Sequence, residues 1–317
     1  MASDATVRIA TRGSDLALWQ ARYVAERLAS FGVASELVLV ETSGDRSHAP
    51  IPTIGVGVFT KAVQDALLRG EADVAVHSYK DLPSLPAQGL ELAAVPPRAS
   101  VHEVLLVRPE RFDPAAGALP LPQGAVIGTS AVRRRALLGA LRRDLQVEPL
   151  RGNVPTRVAR LREGAFDGVL LAAAGLERLA LDLGDLVRVD LDPEVFVPAP
   201  AQGALALEVR RGDPLADRLT DLHDVVGYPT VAAERGLMAQ LQAGCQLALG
   251  AHAWRDGATL AMVAWFEGRA ARVRHPHPEG LAMLAFEALS SASVGSASRE
   301  GSPDGSAAGP DQRTETP

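Results

Sequence analysis

From Val7 onward the chain alternates short apolar, β-prone runs with segments whose apolar residues recur every three or four positions. Val7 to Thr11 reads as a strand, and Ser14 then stands where a helix N-cap belongs, ahead of Ala17, Ala21, Val24, Ala25 and Leu28 on one helical face. The same reading gives a strand at Glu36 to Val40, a polar segment with glycine and proline from Thr42 to Gly57, a helix from about Thr60 to Leu68, and a strand at Asp73 to His77. Strands separated by single helices predict parallel pairing in an α/β sheet.

A second set opens near Val104. Val126 to Gly128 reads as a strand running into a helix at Thr129 or Ser130, Val147 to Leu150 as a strand before a helix near Pro155, and Gly168 to Ala172 as a strand before Leu176. The proline-rich stretch from Pro193 to Pro200 reads as a return connection, and Ala204 to Val209 as one more strand. The pattern then changes. A helix from Thr230 to about Leu241 is followed by strand-like runs at Leu247 to Ala253, Thr259 to Phe266 and Arg269 to Arg274. A last helix carries Leu281, Leu284, Ala285, Ala288 and Leu289 on one stripe. The predicted fold class is α/β: two α/β units and a small α+β unit. After Ser290 the sequence falls to Ser, Gly, Ala, Pro and charge, which predicts a disordered tail over 291–317.

With 317 residues, 47% of them apolar, the chain can bury a sizeable core in two or three domains. A net charge of -6 argues against nucleic acid as a partner, which would call for a basic face. The longest apolar run, Gly168 to Leu176, is roughly half of what a bilayer crossing needs, so no membrane span is expected. The first residues lack the charged start and apolar core of a secretory signal, and the single cysteine, Cys245, has no disulfide partner within the chain. A cytoplasmic location is the expectation. Among 32 basic residues only Lys61 and Lys80 are lysine, which singles out whatever a compact, titratable ammonium does that a guanidinium does not.

Three strand-to-helix turns share a chemistry. Thr11-Arg12-Gly13-Ser14, Gly128-Thr129-Ser130 and Arg151-Gly152-Asn153 place small or hydroxyl residues where helix N-termini present free N–H groups. Arginines accompany them at 12, 133, 134, 151 and 157. In open α/β sheets such turns lie at the ligand edge, which suits a molecule with several carboxylates or phosphates. Lys80 and Asp81 end a buried-looking strand at the same presumed edge, while His77 reads as a packed strand histidine. Gly55-Val56-Gly57 lacks the third glycine of a dinucleotide fingerprint, and no histidine spacing, including His275-Pro276-His277, suggests a metal.

The segments RIATRGSDLALWQ (8–20), ADVAVHSYKDLP (72–83), IGTSAVRR (127–134), LRGNVPTR (150–157), AAAGLERL (172–179), PAQGALALE (200–208) and AGCQLALG (243–250) together resemble the porphobilinogen deaminase (hydroxymethylbilane synthase) family. The resemblance runs in order along nearly the whole chain up to the tail. It implies a transferase that joins four porphobilinogen molecules into hydroxymethylbilane with release of ammonia, on a dipyrromethane cofactor bound by a thioether to Cys245. It implies Asp81 as the catalytic acid and base. Ser78, Lys80, Thr129, Arg133, Arg134 and Arg157 would hold the cofactor, and Arg12, Ser14, Gln20, Arg151 and Gln202 would face the substrate. It implies two domains similar to type II periplasmic binding proteins, 1–100 with 199–220 and 101–198, then a cofactor-bearing domain over 221–290, in a monomer.

The sequence departs from the family pattern at Val56, where a lysine is usual, and at Ala131, Pro155, Ala201 and Ala248, where serine, glycine, glycine and proline are common. Two other readings stay open at this stage: a solute-binding module of the same fold, and a divergent paralogue without turnover.

Overall fold

The computed structural model describes residues 6–40, 58–242 and 247–291. Two five-stranded sheets and one three-stranded sheet organise them. The first sheet holds β1 (Val7–Thr11), β2 (Ser35–Leu39), β3 (Val74–Ser78), β4 (Leu90–Ala94) and β10 (Leu205–Arg210), in the order β2-β1-β3-β10-β4. The second holds β5 (Glu103–Val107), β6 (Val126–Gly128), β7 (Gln146–Glu148), β8 (Gly168–Ala172) and β9 (Val187–Leu191), in the order β7-β6-β8-β5-β9. The third is the antiparallel meander β11 (Leu249–Asp256), β12 (Thr259–Phe266) and β13 (Arg269–His275).

The parallel pairing expected from the strand–helix alternation holds for β1 with β2 and β3 and for β6 with β7 and β8, and antiparallel strands complete each sheet. Each large sheet has a parallel trio, β2-β1-β3 or β7-β6-β8, but its fourth position is antiparallel to both neighbours. The strand in that position follows a crossover between the sheets: β5 enters the second sheet after one, and β10 returns to the first after the other. A strand that arrives across a sheet boundary takes its direction from the entry point and not from a local βαβ unit. The result is an α/β architecture of two mixed five-stranded sheets with the same arrangement of strand directions, joined by a small third sheet.

Helices α1 (Asp15–Ser30), α2 (Val58–Leu68), α3 (Val132–Leu141), α4 (Val154–Arg162), α5 (Ala173–Leu179) and α6 (Leu215–Leu219) accompany the large sheets. Helices α7 (Tyr228–Gln240) and α8 (Pro278–Ser291) pack on the third, so Ser291 ends a helix instead of opening the tail, and 292–317 lie outside the described residues. Helix α3 begins at Val132, two or three residues after the start expected at Thr129 or Ser130. The Thr129 N–H still donates to Glu148 O at 2.9 Å, and Ser130 Oγ donates to Leu150 O at 2.8 Å, so both remain committed to the strand end.

Strand β12 is buried on both faces. Leu260, Met262, Ala264 and Phe266 pack with α7 and α8, while Val263 and Trp265 join the second sheet's core beside Phe196 and Val197. Each large side chain so withdrawn from water contributes about 1.5–3 kcal/mol. This two-faced burial binds the third sheet to the return segment, where Ala251 N donates to Pro198 O at 2.9 Å. It also fixes Gly250 as glycine, because a Cβ there would lie 2.8 Å from Val197 O.

The two crossovers touch at Gly203. Ala99 N donates to its carbonyl, and a Cβ on Gly203 would meet Ala99 O at 2.5 Å and Ser100 O at 2.6 Å. Beside it Ala201 has φ 60, a left-handed conformation that costs a non-glycine residue about 1–2 kcal/mol. Its N–H donates to Glu234 Oε2 at 2.7 Å, which holds the strained residue in place.

Candidate active site

Strand β3 ends at Ser78 and the chain tightens at once into a single 3-10 turn, Tyr79–Asp81. Tyr79 is buried and pinned by its N–H to Ala204 O at 3.0 Å, so Lys80 and the exposed Asp81 project from the carboxyl edge of the first sheet. Ser78 Oγ accepts from Gln20 Nε2 of α1 at 2.8 Å. Lys80 Nζ donates to Gln202 Oε1 at 3.2 Å, and the fully buried Gln202 donates in turn to Val101 O at 2.9 Å. Both glutamines therefore hold other site side chains from behind.

Lys80 faces the start of α3 on the second sheet. Arg133 and Arg134, each only 6% exposed, converge on Glu103, the wholly buried first residue of β5. Arg133 Nη2 donates to Glu103 Oε1 and its Nη1 to Val197 O at 2.7 Å. Arg134 Nε donates to Glu103 Oε2 at 2.9 Å and its Nη1 to Leu170 O at 2.9 Å. Burial alone would raise the Glu103 carboxyl, but Arg134, Arg133 and Lys80 outweigh it and hold it at about 2, so it stays an anion. Burial lowers the Lys80 ammonium, opposed by Asp81 and reinforced by Arg134. Burial, with Arg134 nearby, brings Arg157 down to about 10.

Lys80, Arg133 and Arg134 thus interact with Glu103, Arg157 adds its charge next to Arg134, and Asp81 acts on Lys80. Cations withdrawn from water want anions. The shortfall of negative charge fits a bound molecule carrying several carboxylates, which is the chemistry of a dipyrromethane with its acetate and propionate arms.

The remaining expected residues lie at the carboxyl ends of parallel strands. Arg12 and Ser14 stand at the β1–α1 turn, where Ser14 is the N-cap and makes no side-chain capping bond. Thr129, fully buried, follows β6, and its Oγ1 accepts from Ala131 N at 3.3 Å. Exposed Arg151 precedes α4, whose N-cap Asn153 accepts from Thr156 N at 3.0 Å. Pro155 sits in the first turn of that helix, where a missing N–H costs nothing. Cys245 and Val56 fall outside the described residues. His77 is packed within β3, its Nε2 3.0 Å from Glu208 Oε2, and that oxygen accepts from Gln64 Nε2 at 2.8 Å. No group of three or more His, Cys, Asp or Glu side chains is placed to hold a metal among the described residues, and no described helix is long and apolar enough to cross a membrane.

Sequence reasoning missed Glu103 and the pair Arg98–Glu234. Glu234 on α7 is fully buried and accepts from Arg98 Nη1 at 2.9 Å, Arg98 Nη2 at 2.8 Å, Ala201 N at 2.7 Å and Ala253 N at 2.8 Å. Arg98 Nε donates to Gln202 O at 2.8 Å. One ion pair thereby joins the first crossover, the return segment, α7 and β11. The only sequence signal at Glu103 was a charge abutting the apolar run Val104–Val107.

A family model for porphobilinogen deaminase, dipyromethane cofactor binding domain, matches residues 7–218. The porphobilinogen deaminase of Corynebacterium efficiens is 46% identical over 255 residues, covering 80% of this chain and 82% of that protein. That of Thermus thermophilus is 48% identical over 257 residues, 79% of this chain and 82% of its own length. That of Mycobacterium marinum is 46% identical over 246 residues, with coverage of 77% and 76%. A family model over residues 7–218 and relatives 46–48% identical over more than three quarters of the chain show that it belongs to the porphobilinogen deaminase family.

Proposed function

We propose that this chain is a deaminating transferase of tetrapyrrole biosynthesis, which joins four porphobilinogen molecules head to tail into hydroxymethylbilane on a dipyrromethane primer carried by Cys245. The observation that carries the reading is the set of buried cations around Glu103, next to an exposed carboxylate at Asp81. When bound, the primer supplies the free pyrrole carbon to which units are added.

Lys80, Arg133, Arg134 and Arg157 pair with its carboxylates, beside the hydroxyls of Ser78 and Thr129. Hydrogen bonds to such charged groups contribute about 1.5–3 kcal/mol each. Arg12, Ser14 and Arg151 meet the incoming substrate, while Gln20 and Gln202 act through their bonds to Ser78 and Lys80. Asp81 gives and takes the proton as ammonia leaves the substrate, and its negative charge faces the positive charge that develops there. We further divide the chain into domains over 1–100 with 199–220, 101–198 and 221–290, a division supported by the membership of the three sheets. The enzyme acts in the cytoplasm, in keeping with its single cysteine, and as a monomer, in keeping with its resemblance to the family.

The test is incubation of the purified protein with porphobilinogen, with ammonia and linear tetrapyrrole both measured. Their release together supports the reading, with one ammonia lost for each porphobilinogen joined and water adding to the last unit as the linear product leaves. A solute-binding module or inactive paralogue would consume no substrate and release neither product.

A further inference from the structure

Helix α7 reaches the Asp81 turn through Arg235. Its Nη1 donates to Leu82 O at 3.0 Å and its Nη2 donates to Pro83 O, a partner 152 positions away in sequence. The guanidinium carbon lies 4.6 Å from the centroid of the Tyr79 ring. One side chain therefore grips residues on both sides of the Lys80-Asp81 pair.

The turn needs such a grip. A single 3-10 turn is a poor holder of its own geometry, and here the bond that closes it, Leu82 N to Tyr79 O, is long at 3.2 Å. Its entry is fixed by Tyr79 N to Ala204 O, whereas its exit is bound by Arg235. Arg235 also stands next to Glu234, and α7 ends at Gln240, shortly before Cys245. The helix that leads to the cysteine is thus the helix that holds the acid's turn.

We propose that Arg235 is a positioning residue for Asp81: by clamping the carbonyls of Leu82 and Pro83 against the Tyr79 ring, it sets where the carboxylate stands relative to α7. The proposal rests on the function given above. A misplacement of about 1 Å at a reacting centre lowers a rate by about a hundredfold. Arg235→Met keeps the apolar stem and removes the donors, and Arg235→Lys keeps the charge and one donor site.

The experiment compares both variants with the unaltered protein for intact mass, kcat, KM and amide hydrogen exchange at Leu82. Arg235→Met is expected to carry the primer mass, to lose about 10- to 100-fold in kcat with KM within about threefold, and to exchange the Leu82 amide faster, with Arg235→Lys intermediate in each. If Arg235→Met does not fold, the same comparison is made with Arg235→Lys. A folded, loaded variant whose kcat stays within about twofold, or whose loss is confined to KM, overturns the proposal. If the unaltered protein shows no turnover, the functional reading has failed separately. The Leu82 amide then decides: faster exchange supports the clamp, and unchanged exchange overturns it.

Discussion

Asp81→Asn is expected to give a folded protein that forms hydroxymethylbilane about 10² to 10⁴ times more slowly than the unaltered chain, the range typical of a lost general acid–base group. The substitution keeps the shape of the side chain and falls at an exposed position at the end of the Tyr79–Asp81 turn, so packing is left alone. An amide neither delivers a proton to the departing amine nor answers positive charge on the substrate. Lys80 cannot substitute: its ammonium is engaged with Gln202 and surrounded by Arg133 and Arg134. Single-turnover ammonia release from protein of verified mass and unchanged unfolding midpoint is the measurement. A rate near normal would remove Asp81 from the chemistry.

Arg98→Met is expected to lower stability by about 3–5 kcal/mol, because taking away one partner leaves the other charge buried without compensation. Glu234 is fully buried and among the described residues would keep the N–H groups of Ala201 and Ala253. Arg98 is itself largely buried, with 11% of its side chain exposed, so this is not a screened surface pair. The strain at Ala201 adds to the effect, since the residue at φ 60 is held by the same carboxylate. Urea unfolding followed by far-ultraviolet circular dichroism reads the change. A midpoint within error of the unaltered protein would mean that the crossovers and α7 are held together by other contacts.

The strands that sequence periodicity placed to the residue, Val7–Thr11, Val126–Gly128, Gly168–Ala172 and Thr259–Phe266, are bounded by abrupt changes in polarity or by glycine. Strands β4 and β9 escaped because charged residues interrupt their apolar ones, Glu91 within Leu90–Ala94 and Arg188 and Asp190 within Val187–Leu191, and both are only partly buried. Strand direction was illegible for a different reason. It depends on which sheet edge a crossover reaches, and nothing local to β5 or β10 encodes that.

The site divides in the same way. Lys80, Asp81 and the arginines at 133 and 134 could be singled out because lysine is rare in this chain and strand ends bear ligands. The residues that fix them could not. Glu103 meets Arg133 across 30 positions and Glu234 meets Arg98 across 136, and at those separations charge in the sequence says nothing about pairing. The departure at Ala201 gained its meaning only from the backbone, whose positive φ explains why glycine suits that position.

The tethered primer is tested most directly by intact mass. The full chain and its Cys245→Ser variant are purified, incubated with porphobilinogen, denatured and weighed. The expected result is the chain mass plus one dipyrromethane for the unaltered protein and the bare chain mass for the variant. A bare mass in the unaltered protein, or an adduct that persists after the cysteine is gone, would contradict it.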